Sequence, residues 1–187
     1  IGNTNPKHTG GLNLSAVYKN LDISLFFNWV YGNDVYNANK IQFTTQWKKD
    51  YYNMLSVISS ANRFRYMDDA GNKITDMEQL RTLNENATIW SPAMKIPVLH
   101  SWAIEDGSFL RLNNITIGYT LPTKWTKRVL INRCRVYCTV NNVFVWTKYS
   151  GFDPEVSTCL STPLTPGVDF SSYPKARTFT LGANITF

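Results

Sequence analysis

The side chains that do chemistry in proteins are present in this chain, but not at the spacings that chemistry needs. The two histidines, His8 and His100, stand far apart, and neither has partners at metal-ligand spacing. Cys134 and Cys138 of "CRVYC" lie about 13 Å apart if that segment is a strand, at roughly 3.3 Å per residue. They are then too far apart to bridge. Cys159 is alone in a loop, so no disulfide framework emerges. There is no phosphate-binding glycine loop and no nucleophile elbow. "DDAGN" (68–72) has part of a calcium loop but lacks the other ligands, and reads as a turn. "FDPE" (152–155) could hold a cation or a partner, although a rigid loop start explains it more simply. The Asn-x-Thr triplets at Asn114 and Asn184 fall in strand-like runs and carry no meaning as glycosylation sites. The expectation is a protein with no catalytic residue, metal site or cofactor: not an enzyme.

Aromatic residues are the stronger signal. They make up 14% of the chain, with six Trp and ten Tyr. Trp47, Tyr51, Tyr52, Trp90, Trp102 and Tyr149 fall in loop-like segments. Sugar rings stack on such faces, and aromatics are costly to expose without a purpose, so these six are the ligand or partner candidates. The simpler account is that they pack the loops together or against a partner. The net charge of +6 comes from scattered basic residues, densest at "KWTKR" (124–128), which argues against nucleic-acid binding.

The elements that would position these residues follow a period of two. In "GLNLSAVYK" (11–19), Leu12, Leu14, Ala16 and Tyr18 share a face. In "LDISLFFNWVY" (21–31), Leu21, Ile23, Leu25, Phe27, Trp29 and Tyr31 do so, and the short join predicts a hairpin. In 109–121, Leu110 and Leu112 lead to Ile115, Ile117, Tyr119 and Leu121, with the phase slipping at Asn113–Asn114. One bulge restores a single face. In 133–147, Cys134, Val136, Cys138, Val140, Phe144 and Trp146 face one way. In 176–187, Phe179, Leu181, Ala183, Ile185 and Phe187 do. Arg111, Arg133, Arg135 and Tyr137 have polar-face parity. Two long connections, 33–106 and 148–175, interrupt the strands. Thr75 and Glu78 stand at capping-box spacing, which predicts a short helix in "TDMEQLRTLNE". Trp47, Tyr51, Leu55 and Ile58 predict a second helix.

This all-β pattern suits two architectures. In a soluble β-sandwich that binds carbohydrate, one face packs on a core. In a membrane barrel, one face meets lipid and the other a polar lumen. Strands of eleven or twelve residues, tilted about 45°, match the ~25 Å apolar band of an outer membrane, and ordinary soluble strands are shorter. The alternation of short and long connections also favours the barrel, as do aromatics near strand ends. No apolar run approaches the ~20 residues of a membrane helix. The sequence begins without Met or a signal peptide and reads as a piece of a longer chain.

Several stretches resemble, in order, the C-terminal portion of SusC/RagA-family TonB-linked outer-membrane transporters. They are "GNTNPKHTGG" (2–11), "YGNDVYN" (31–37), "EDGSFLRLNNITIGYTLP" (105–122), "NNVFVWTKYSGFDPEVS" (141–157) and "YPKARTFTLGANITF" (173–187). Thr4 stands where the family often has Pro, and 38–104 matches no part of the pattern. The resemblance implies the C-terminal segment, about five long antiparallel strands near 11–19, 21–31, 109–121, 133–147 and 176–187, of a large transmembrane β-barrel. Such a barrel has about 22 strands around a plug, here with short helices in the extracellular loops 33–106 and 148–175. It implies bacterial outer-membrane import of a glycan, oligosaccharide or peptide. The implied partners are a SusD-like lipoprotein, the TonB complex through absent N-terminal sequence, and the lipid bilayer, with no nucleic acid. Phe187, a terminal aromatic on an alternating strand, resembles an assembly signal. Arg111, Arg133, Arg135 and Tyr137 would face the lumen and pair with the plug.

Overall fold

A computed structural model describes residues 1–46, 53–94, 98–155, 157 and 166–187. Two compact units are present, residues 1–36 with 105–187, and residues 37–104.

The first unit is built on long strands: β1 (His8–Tyr18), β2 (Leu21–Tyr31), β5 (Phe109–Thr120), β6 (Arg133–Thr147) and β8 (Thr178–Thr186). They form one antiparallel sheet in the order β1-β2-β5-β6-β8. β1 begins at His8, earlier than the pattern suggests, because Thr9 and Gly10 still pair with Val30 and Trp29. Tyr18 faces Leu21 across a two-residue turn, in which Lys19 takes a φ of 54°. β5 and β6 are joined by the short helix α3 (Thr123–Thr126), one 3-10 turn (Lys127–Val129) and Leu130 at a φ of 60°.

The phase slip expected at Asn113–Asn114 is present and extends further than expected. Phe26 and Phe27 of β2 stand opposite Leu112 to Asn114 of β5, which stand opposite Asn141 to Phe144 of β6. One residue is added per strand at the same level. Asn142 absorbs the last addition with a φ of 51°, a conformation Asn tolerates.

Three shorter strands escape the period-two reading because each is too brief to show a period. β3 (Asp34–Asn37) lies between β4 (Ile104–Asp106) and β7 (Val168–Asp169). Val35, at the centre, is fully buried. Thus both long connections are tied where they leave the strands.

The second unit holds α1 (Ala38–Gln42) and α2 (Met77–Leu83). α2 forms where capping predicts it, but Asp76 rather than Thr75 is the cap. Its carboxylate accepts from the N–H groups of Glu78 at 2.8 Å and Gln79 at 3.2 Å. An Asp adds negative charge at the positive end of the helix, which a Thr cannot do. Of the helix expected around 47–58, residues 47–52 lie outside the described part, and 53–58 are turn and irregular backbone. Asn84 acts as a substitute strand, accepting from Arg65 N and donating to Arg65 O. "DDAGN" is a turn: Asp68 accepts from Asn72 N at 2.7 Å. Those N–H donors hold the Asp68 carboxyl below its ordinary range.

Candidate functional site

The five-stranded sheet presents two chemically opposite faces. On one, residues in register form apolar rows. Leu21, Tyr119, Val136 and Ala183 make the first. Above it lie Ile23, Ile117, Cys138 and Leu181, then Leu25, Ile115, Val140 and Phe179. Past the bulge come Phe27, Leu112 and Phe144, then Trp29, Leu110 and Trp146. This face has no covering layer among the described residues: Leu181 is 81% exposed and Phe179 71%. Aromatics collect at its two ends, with Trp29, Tyr31 and Trp146 at one and Tyr18, Tyr119, Trp125 and Phe187 at the other.

The opposite face carries separate hydrogen-bonded groups of polar side chains, with Val17 and Phe26 among them. Ser24 donates to Asn13 at 3.3 Å, Asn113 to Asn28 at 2.8 Å and Asn114 to Asn141 at 2.7 Å. Thr116 and Thr139 share a 2.9 Å bond, and Asn141 donates to Thr178 at 3.1 Å. Asp22, Gly118, Tyr137 and Gly182 lie in one row. Arg135 passes over Gly118 to reach Asp22, with Nε donating at 2.9 Å and the second nitrogen to the other carboxylate oxygen. Tyr137 lies over Gly182. In both places a Cβ would meet the covering side chain.

Buried polar contacts anchor the second long connection. Arg111 is 4% exposed and donates to Asp153, itself 3% exposed. Glu155 adds a second carboxylate 3.3 Å from Arg111 Nε and also pairs with Lys175 at 2.7 Å. The Tyr149 hydroxyl donates to Asp169 at 2.7 Å. Burial first, and then the Asp169 carboxylate, raises the Tyr149 pKa and keeps the phenol protonated. Ser150 is held by both oxygens of Glu105 at 2.8 Å.

In the second unit, Trp90 packs edge-on against Trp102 and tilted on His100, both at 5.3 Å between centroids. Lys40 Nζ sits 4.7 Å from the Trp102 ring centroid. Phe64, Tyr66, Trp90, His100 and Trp102 line a cleft of about 440 Å³. Trp90 Nε1 is buried with no hydrogen-bond acceptor among the described residues.

These placements sort the sequence candidates. Trp90 and Trp102 come together. Tyr149 is 6% exposed in the first unit, where its hydroxyl bonds Asp169. Trp47, Tyr51 and Tyr52 lie outside the described residues. Phe187 is exposed just beyond β8. Arg111 and Arg135 pair within the chain, through Asp153 and Asp22, where pairing with a plug was expected; Arg133 is exposed at the end of β6. "FDPE" closes on Arg111 rather than on a cation, and no cluster of metal-ligating residues occurs among the described residues. Gly118 at polar-face parity could have signalled the Asp22–Arg135 crossing. Asp153 carries no local mark of Arg111, its partner in a distant strand.

No family model matches the chain. TonB-dependent receptor P3 of Formosa agariphila is 30% identical over all of this chain, which spans 17% of that protein. TonB-dependent receptor SusC of Bacteroides thetaiotaomicron is 32% identical over 71% of the chain, equal to 13% of its own length. Among solved structures, the RagAB peptide importer in its closed-closed state superposes on 98% of the chain, and 18% of its own, with a TM-score of 0.70 at 22% identity. Its open-open state gives 0.69 at 26% identity, over 98% of the chain and 17% of its own. The chain is thus homologous along its length to TonB-dependent receptors of the SusC/RagA type, and its five-stranded sheet is a segment of such a transporter barrel.

Proposed function

We propose that the whole protein, of which this chain is the C-terminal part, imports an oligosaccharide or peptide across a bacterial outer membrane. It is powered through TonB, and a SusD-like lipoprotein sits over its extracellular loops. The observation that carries this reading is the sheet's exposed apolar face set against an internally bonded polar face. Lipid needs the first, and an aqueous lumen needs the second. Strand length agrees. Leu21–Tyr31 is 11 residues; at ~3.3 Å each and tilted about 45°, it rises roughly 25 Å. RagAB supports a peptide cargo by its own description, and the Trp90–Trp102 cleft supports stacking on a sugar ring. A soluble β-sandwich would need a second sheet over the apolar rows, and the three-stranded sheet is far too small for them.

The test is uptake of fluorescent oligosaccharides and peptides by cells with and without the full-length gene. Uptake of at least one class should vanish on deletion and on collapse of the proton-motive force. Full uptake in the deletion strain, or recovery of the intact protein in the soluble fraction, would overturn the reading.

A further inference from the structure

Charge divides unevenly between the two ends of the long strands. The register sets Tyr18, Leu21, Tyr119 and Val136 side by side at one end, so the β1–β2 turn and the connection 121–132 lie there together. That end carries Lys19, Lys124, Lys127, Arg128 and Arg133, all exposed. Its one acidic side chain, Asp22, is already taken: Arg135 holds both carboxylate oxygens, and Arg133 adds a weaker pull. Lys19, Lys124, Lys127 and Arg128 therefore have no ion-pair partner among the described residues. At the opposite end, acids sit among the cations. Lys175 pairs with Glu155 at 2.7 Å. The Ser108 hydroxyl and its N–H, the latter at 2.9 Å, together with Lys148, hold the Asp106 carboxyl below its ordinary range.

Apolar side chains are interleaved with the four unpaired cations. Trp125 and Leu130 are both largely exposed. Lys19 Nζ lies 5.2 Å from the ring centroid of Tyr18, which belongs to the apolar face of the sheet. The segment is folded rather than loose: Thr126 is buried, its carbonyl accepts from Ile131 N at 3.1 Å, and Leu121 N donates to Cys134 O at 2.8 Å.

We propose that this end of the sheet, residues 19–20 with 121–130, binds anionic phospholipid of the inner leaflet, its cations meeting the phosphates while Trp125 and Leu130 enter the boundary beneath the headgroups. The inference rests on the membrane reading above, which puts the short connections on the periplasmic side, and goes beyond it. Charge selects the headgroup: each basic residue near an anionic surface is worth about fivefold in affinity, and a zwitterionic surface offers no such gain. An acidic protein would answer the charges alone. Lipid answers the exposed apolar residues as well, because they continue the lipid-facing rows of the sheet.

The test places the full-length transporter in nanodiscs of phosphatidylcholine doped with phosphatidylglycerol and counts the retained lipids by native mass spectrometry. The wild type should retain phosphatidylglycerol above its share of the bilayer. The triple variant Lys124→Gln, Lys127→Gln, Arg128→Gln should lower that preference at least fivefold and leave phosphatidylcholine retention unchanged. Lys127→Gln alone, the mildest change to the fold, should move it the same way. Lys7→Gln with Lys148→Gln, at the opposite end, should leave it unchanged. Equal preference in wild type and triple variant, both folded by heat-modifiable migration, would overturn the lipid site and leave the membrane reading standing. An equal loss in the opposite-end variant would also overturn it, by showing that net charge alone is read. A wild type that stays soluble without a bilayer would overturn both.

Discussion

Gly118 and Arg135 show how a single missing side chain shapes the polar face. Arg135 crosses the glycine to reach Asp22, so Gly118→Val should push the guanidinium off its carboxylate. It should also destabilise the folded barrel by about 1–3 kcal/mol, the usual cost of overpacking. Gly118→Ser would cost less only if Arg135 finds a new rotamer. Denaturant unfolding of the full-length protein followed by heat-modifiable migration measures both. On β8, Leu181 and Thr180 are neighbours with opposite faces. Leu181→Arg should cost ~2–4 kcal/mol and Thr180→Arg much less; equal tolerance would contradict the lipid-facing assignment. Tyr149→Phe removes the hydroxyl that bonds one oxygen of the buried Asp169 carboxylate, leaving the Ser172 N–H on the other at 3.4 Å. The cost should be about 1–3 kcal/mol, felt locally, so limited proteolysis within 148–175 should accelerate while the barrel stays folded. Acid acts on the same region through Asp106. A carboxyl whose folded pKa lies below its unfolded value of about 3.9 contributes fully above that value and is lost as pH falls through the folded one. The Asp106–Ser108 turn should therefore hold at neutral pH and loosen only in strong acid.

The bulged level of the sheet is where one residue decides the fate of whole rows. Asn113 is the residue of β5 with no counterpart in β2. Deleting it should force a choice: either Leu110 and Leu112 turn to the polar face, or Ile115, Ile117 and Tyr119 do. Neither is tolerable in a wall between lipid and water, so the deletion should abolish the folded barrel. A folded band of normal intensity would show that the register can adapt. The β5 half of this feature is legible in sequence, because its apolar residues change parity from Leu112 to Ile115. The β6 half is not. Val140, Phe144 and Trp146 keep one parity, and Asn142 carries no mark of its left-handed backbone. The same limit explains the helix cap, where Thr75 fits the capping-box pattern but geometry selects the adjacent Asp76. The long strands were readable because alternation is a local signal repeated many times. The contacts Arg111–Asp153 and Tyr149–Asp169 were not, since they join segments brought together only by the fold.

Across the whole molecule, residues 37–104 form a unit with its own buried residues, Ile41 and Ile89 among them. Its removal should therefore be tolerated by the strands. Replacing its apical part with a short turn should leave a folded barrel that no longer co-purifies with the SusD-like lipoprotein proposed above; undiminished co-purification would place any such contact elsewhere. The polar face has a further consequence for traffic through such a protein. Its Asn, Ser and Thr side chains bond one another, and its charges Asp22 and Arg135 cancel within the wall. In the import proposed above, a solute passing this face would meet, among the described residues, side chains many of which already bond one another. Transport needs binding weak enough to leave, and a lining that has already spent its hydrogen bonds on itself is a low-friction surface. If the proposed import runs along this face, selectivity would fall to whatever stands at the mouth, and speed would fall to the wall.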